Sequence, residues 1–99
     1  MTPEGKIVKY LCDRVKQLGG ITRKCEWSNR VGAPDQFVCV AGKNFWVECK
    51  APGKRPTKMQ EREHRRMREI GGCSVYVADS ESEVDFVLMT ELYAAGGKK

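Results

Sequence analysis

The sequence predicts an α/β fold in which helices flank a mixed β-sheet of about four strands. Apolar residues recur at helical spacing near the start of the chain, and two alternating stretches separated by a turn follow in its middle. A capped helix and a further alternating stretch come next. The predicted order is α-β-β-β-α-β-α, with residues 1–99 as one small domain.

The first helix begins at Thr2, which suits an N-cap, with Pro3 in the first turn. Gly19 and Gly20 end it. Its apolar face consists of Ile7, Val8, Leu11, Cys12, Val15 and Leu18. Residues 21–27 alternate as a first strand, and Arg23 on its apolar side places that strand at a sheet edge or near a substrate.

The middle of the chain, residues 32–50, predicts a β-hairpin. A Gly-Ala-Pro-Asp turn at 32–35 leads into a strand over 36–41, and a turn at 42–44 leads into a strand over 45–50. The second strand begins Phe-Trp-Val, which is apolar on both faces. That pattern is typical of a central strand covered on both sides.

Charged residues interrupt this central strand at its carboxyl end. Glu48 and Lys50 point to the same side, with Cα atoms about 6–7 Å apart. Pairing of the two strands brings Asp35 near them. Carboxylates beside a cation suit a metal-dependent phosphodiesterase, although a solvent-exposed ion pair is the structural alternative. We favour the functional interpretation because buried charge is costly at the end of a central strand.

A second helix follows the Pro/Gly loop 51–56. Thr57 and Gln60 form a capping-box pattern, and the helix extends to about Ile70. Met59, Met67 and Ile70 form a thin apolar stripe. A strand over 73–78 comes next, and residues 84–89 fit either a terminal helix or a strand. Residues 96–99 are predicted to be a flexible tail.

Positive charge is unevenly distributed. Residues 1–68 carry 16 Lys/Arg against 7 Asp/Glu, whereas residues 69–99 carry 2 against 6. Such a basic body indicates contact with a polyanion, or alternatively a solvated helix face. The candidate DNA-backbone contacts are Lys54, Arg55, Lys58, Arg62, Arg65 and Arg66.

Several classes of protein are excluded by composition. No apolar run approaches the ~20 residues of a membrane span, and the N-terminus is too polar for a signal peptide. The five cysteines contain no CxxC pair and His64 is the single histidine, so free thiols in a reducing cytoplasm are expected rather than disulfides or zinc.

The residues Gly32-Ala33-Pro34-Asp35, Glu48-Cys49-Lys50 and Gln60 occur in an order and spacing that resemble the VRR-Nuc family of the PD-(D/E)XK nuclease superfamily. Glu4 in the first helix also fits. The resemblance spans roughly residues 2–78, and the chain has the length of the free-standing members found in phages and bacteria.

The resemblance implies a restriction-endonuclease-like core that hydrolyses DNA phosphodiesters with Mg²⁺ or Mn²⁺. Catalytic roles are carried over to Asp35, Glu48, Lys50 and Gln60. The implied metal ligands are Glu4, Asp35, Glu48 and the backbone carbonyl of Cys49. No small-molecule cofactor is implied.

The family is associated with DNA repair and with structured DNA such as flaps and four-way Holliday junctions. Because a junction needs two symmetric cuts, we expect a homodimer with two-fold symmetry. A non-catalytic DNA-binding protein and a phage interaction protein remain alternatives. The HNH and GIY-YIG patterns of other nucleases are absent from the sequence.

Overall fold

The computed structural model describes residues 1–96, and the secondary-structure elements follow the predicted order. They are α1 (Pro3–Gln17), β1 (Ile21–Lys24), β2 (Gln36–Val40), β3 (Lys43–Cys49), α2 (Lys58–Glu69), β4 (Val75–Ala78) and α3 (Glu81–Gly96). The stretch 84–89, for which helix and strand were both open, is helical. Of the predicted tail, Gly96 ends α3, and residues 97–99 lie outside the described residues.

The strands form one mixed sheet in the order β1-β2-β3-β4. β2 and β3 are antiparallel and are joined by Ala41 and Gly42, both at positive φ, as a two-residue hairpin turn requires. β3 and β4 are parallel, with α2 as the crossover between them. β3 is therefore central, as its apolar start predicted.

One face of the sheet is covered by α1 and α3. The buried core there includes Ile7, Leu11, Val15, Val38, Val40, Phe45, Val47, Val84, Val87 and Leu88. Polar contacts join the two helices at the rim of this core. The hydroxyl of Tyr10 donates to Asp85 at 2.9 Å, and Arg14 Nε lies 3.2 Å from the same carboxylate.

On the opposite face, the helix α2 packs with few of its apolar residues buried. Of the apolar stripe, Met59 is 54% exposed and Ile70 is 76% exposed, whereas Met67 is half-buried. His64 is buried, at 1% exposure. The capping box fixes the start of α2, and the helix is rotated so that Gln60 and His64, four residues apart, share the inner face.

The first strand ends at Lys24, earlier than predicted. Trp27 leaves the strand direction, and its indole N–H donates to the Pro34 carbonyl at 2.7 Å. Its ring packs on Trp46, with centroids 5.1 Å apart. An alternating pattern cannot distinguish this excursion from a continued strand.

All five cysteines carry free thiols, as expected. Among the helices within residues 1–96, none is long and apolar enough to cross a membrane.

Candidate active site

Three side chains converge where β3 ends. Glu48 is only 6% exposed, and Lys50 Nζ lies 3.7 Å from its Oε2 atom. Gln60 at the start of α2 donates from Nε2 to the same oxygen at 3.4 Å. A nearly buried carboxylate is thus held between an ammonium group and an amide.

Asp35 is held opposite Glu48 by the hairpin and by the segment before it. Gln36 pairs with Val47, so the register brings the preceding residue, Asp35, across from Glu48. The backbone on both sides is fixed, because Trp27 binds the Pro34 carbonyl and the Cys25 N–H donates to the Asp35 carbonyl at 2.8 Å. Packing of Trp27 on Trp46 therefore stabilises the position of a carboxylate eight residues away.

The electrostatics of the cluster centre on Glu48. Burial, followed by the negative charge of Asp35, raises the pKa of Glu48 from 4.5 to about 7. Lys50 opposes this shift and Glu4 adds to it. The exposed first turn of α1 thus brings Glu4 close enough to act on Glu48. The cluster holds more negative charge than its surroundings stabilise, which favours a bound cation.

The donor set fits a hard divalent cation that keeps part of its water shell. Within residues 1–96, no three His, Cys, Asp or Glu side chains are grouped closely enough to form a complete side-chain metal site. Mg²⁺ commonly takes only one or two protein carboxylates, together with water and substrate oxygens. Asp35 and Glu48 are a pair of this kind.

The backbone carbonyl of Cys49 is suited to complete this pair. Extending the register by two residues brings Pro34 opposite Cys49, and proline has no N–H to donate to that carbonyl. The thiol itself is buried, and burial raises its pKa to about 12, so it stays protonated. Cys49 can therefore contribute only its carbonyl oxygen.

Gln60 serves the helix and the carboxylate at once. Its side-chain oxygen accepts from the Thr57 N–H at 2.9 Å, and the Thr57 hydroxyl accepts from the Gln60 N–H at 3.1 Å. Because the amide oxygen is engaged in this capping box, the amide nitrogen is the atom directed at Glu48. The helix cap therefore sets the orientation of a residue in the site.

Gly32 lets the Asp35 segment approach α2. It has φ of +94°, and a Cβ atom would lie 2.7 Å from the Met59 carbonyl oxygen. We expect Gly32→Ala to lower the free energy of unfolding by about 2–3 kcal/mol, because backbone strain and a clash add together. Urea denaturation would measure this, with Gly53→Ala as the control.

The control has a similar φ of +80° but open space at the Cβ position. Gly53→Ala should lower the free energy of unfolding only by the backbone strain, about 1–2 kcal/mol. Equal losses in Gly32→Ala and Gly53→Ala would contradict the close approach as the cause.

His64 is the buried residue that sequence reasoning missed. Within residues 1–96, its Nε2 atom has no hydrogen-bond partner. Burial lowers its pKa, helped by the charges of Arg68 and Lys50, while a hydrogen bond with the Gly32 backbone opposes the shift. A neutral imidazole thus links α2 to the Gly32 turn. Its position four residues after Gln60 was the signal that could have placed it on the inner face.

The predicted basic patch divides into separate surfaces. All six candidate DNA contacts are exposed. Arg62 and Arg66 lie with Arg30 along one flank of α2, whereas Arg65 lies with Arg68 along the other. Lys54 and Arg55 occupy the loop 51–56, where the Gly53 N–H donates to Asp79 at 3.1 Å, and Lys58 opens α2.

Two known proteins are similar to this chain over most of its length. A protein named "Putative nuclease p44", from Acyrthosiphon pisum secondary endosymbiont phage 1, is 44% identical over 79 residues, which cover 79% of this chain and 84% of that protein. A solved structure described as a VRR_NUC domain has a TM-score of 0.81 and 38% identity, covering 94% of this chain and 99% of the other. No protein-family model matches the chain.

Proposed function

The chain belongs to the VRR-Nuc family of PD-(D/E)XK nucleases, and from this premise we propose that it is a divalent-metal-dependent DNA endonuclease selective for branched DNA. One observation carries the proposal: Glu48 is nearly buried, is held by Lys50 and Gln60, and has a pKa raised to about 7. A buried carboxylate with a raised pKa at the end of a sheet is typical of a catalytic site. We infer that residues 1–99 form one nuclease domain.

Asp35 and Glu48 would hold Mg²⁺ or Mn²⁺ together with the Cys49 carbonyl oxygen. Glu4 would contribute directly or through water, consistent with its effect on the pKa of Glu48. When bound, such an ion lowers the pKa of a coordinated water and neutralises charge on the scissile phosphate.

Lys50 would orient the attacking water and stabilise the negative charge that develops on the phosphate. Its ammonium group is already 3.7 Å from Glu48, on the same side of β3. Gln60 would keep the Glu48 carboxylate in one orientation, because the capping box restrains its own amide. Hydrolysis would break one phosphodiester bond in one strand for each site.

The exposed basic residues would contact the DNA backbone, which positions DNA without reading its sequence. These are Lys54, Arg55, Lys58, Arg62, Arg65 and Arg66. Selection of DNA by shape follows from this kind of contact, and flaps and four-way junctions are the proposed substrates. Cutting a junction symmetrically would require two sites, so we propose a homodimer with two-fold symmetry. The free thiols suit the cytoplasm, where we place the protein.

A cleavage assay on a labelled four-way junction, a flap and a plain duplex tests the proposal. We expect cutting of a branched substrate with Mg²⁺ or Mn²⁺, and none with EDTA. Duplex cutting at an equal rate would keep the nuclease and remove the branched-DNA selectivity. DNA binding without cutting under any metal condition would favour the non-catalytic DNA-binding alternative. If the protein neither binds nor cuts DNA, the phage interaction protein would be the favoured alternative.

A further inference from the structure

Of the residues along one flank of α2, only Arg62 and Arg66 have a role in the function proposed above, as contacts to the DNA backbone. These residues line a groove that has two adjoining parts. Its first part, about 490 Å³, is lined by Arg30, Val31, Met59, Arg62, Glu63 and Arg66. Its second part, about 230 Å³, shares three of these residues and adds Met67, Ile70, Gly71 and Cys73. We name the two parts together the α2 channel.

The α2 channel begins beside the candidate active site. Met59 precedes Gln60, the residue that donates to Glu48. The Gly32 turn, which leads to Asp35, also touches the Met59 backbone. The start of the channel therefore lies one residue along α2 from Gln60, next to the site.

The lining combines positive charge with exposed apolar side chains. Val31 is 67% exposed, Met59 54% and Ile70 76%. Glu63, with a side chain only 13% exposed, lies 3.9 Å from both Arg30 and Arg66. This carboxylate holds the two guanidinium groups at the channel and leaves an excess of positive charge along it.

Duplex DNA presents mainly its phosphates and sugars, which arginines alone can bind. An unpaired strand also presents base faces, which stack on guanidinium planes or aromatic rings and pack against apolar side chains. The mixture of arginines and aliphatic groups therefore matches an unpaired strand better than a duplex. The excess of positive charge along the channel likewise favours a nucleic acid over a protein partner with few acidic residues.

We propose that the α2 channel binds an unpaired DNA strand next to the cleaved bond. This inference rests on the proposed nuclease function and deepens it, because it selects substrates with unpaired nucleotides beside the cut, such as flaps and open branch points. Met59 and Val31 contact bases, while Arg30, Arg62 and Arg66 contact phosphates.

Fluorescence anisotropy with a labelled oligothymidine and a labelled duplex, in EDTA, tests the proposal on the full chain. We expect Met59→Ala to weaken oligothymidine binding about fivefold to tenfold, within the range for loss of a base contact, and to change duplex binding by less than about twofold. Met89→Ala is the matched control, since Met89 is 59% exposed on α3 and should change neither affinity.

Salt dependence tests the arginines separately. Arg66→Ala should reduce the slope of log Kd against log salt for oligothymidine by about 0.7, the loss of one phosphate contact on a single strand. Circular dichroism would check that each variant keeps its helices. Wild-type protein that does not bind oligothymidine would overturn the proposal.

Equal weakening of both ligands in Met59→Ala would also overturn it, because the channel would then contact DNA backbone in general. Unchanged oligothymidine affinity in both Met59→Ala and Arg66→Ala would assign the channel to another partner. Binding in EDTA needs no cleavage, so the channel can fail while metal-dependent cutting stands, and the nuclease proposal can fail while the channel stands.

Discussion

Replacing Lys50 with alanine is expected to lower the single-turnover rate of DNA cleavage by about 10²–10³-fold. The side chain is 14% exposed and lies within 3.7 Å of Glu48. In the proposed mechanism it stabilises the negative charge that develops on the phosphate. The loss combines two effects. Positive charge near the developing negative charge disappears, and Glu48 loses the group that opposes its raised pKa.

The two effects can be separated by measurement. Calorimetric titration with Mn²⁺ near pH 7 should show weaker binding to Lys50→Ala, because more Glu48 is protonated before the ion binds. At pH 8.5 the metal affinity should recover while the cleavage rate stays low. DNA affinity should fall only slightly, since one phosphate contact among several is removed.

Lys16→Ala is a suitable control, because Lys16 is an exposed lysine on α1, on the opposite face of the sheet. Its cleavage rate should match that of the wild type. A Lys50→Ala rate within about tenfold of the wild-type rate would remove Lys50 from the mechanism.

Local patterns in the sequence predicted the elements and much of the cluster. The capping box of Thr57 and Gln60 is a contact between neighbours in the chain, so its spacing alone identifies it. The alternation of strand side chains placed Glu48 and Lys50 on one side of β3. Each of these features depends on residues within about one turn or one strand.

The rotation of α2 could not be predicted in the same way. Apolar spacing grouped Met59, Met67 and Ile70 as one stripe. The Gly32 turn and the cap instead position the helix with His64 against the sheet. This rotation also divides the basic residues between two flanks and leaves Met59 in the α2 channel. Such features depend on contacts between segments far apart in the sequence, which no single-segment pattern contains.

Glu48→Gln is expected to stabilise the protein while abolishing metal-dependent cleavage. The folded-state pKa of Glu48, about 7, lies above its ordinary value of 4.5. The folded state therefore holds this proton more tightly, and the free energy of unfolding falls as pH rises from about 4.5 to about 7. Above about pH 7 the free energy of unfolding is reduced by the full amount, at most about 3 kcal/mol for a pKa shift of this size.

Urea denaturation at two pH values would measure this effect. At pH 8, Glu48→Gln should exceed the wild type by up to about 3 kcal/mol, and at pH 4 the two proteins should be nearly equal. Glu26→Gln, a change at an exposed acid, should follow the wild type at both pH values. An identical pH dependence in Glu48→Gln and the wild type would contradict the raised pKa.

Adding Mg²⁺ distinguishes the destabilising effect of the Glu48 carboxylate from its proposed role as a metal ligand. At pH 8 the ion should raise the unfolding free energy of the wild type, since it binds the folded chain, and should have little effect on Glu48→Gln. A metal-binding carboxylate should destabilise the folded protein when it is ionised without a metal, and a bound cation should reverse that effect. If Mg²⁺ stabilised both proteins equally, the ion would be bound elsewhere, and Glu48 would lose its proposed role as a ligand.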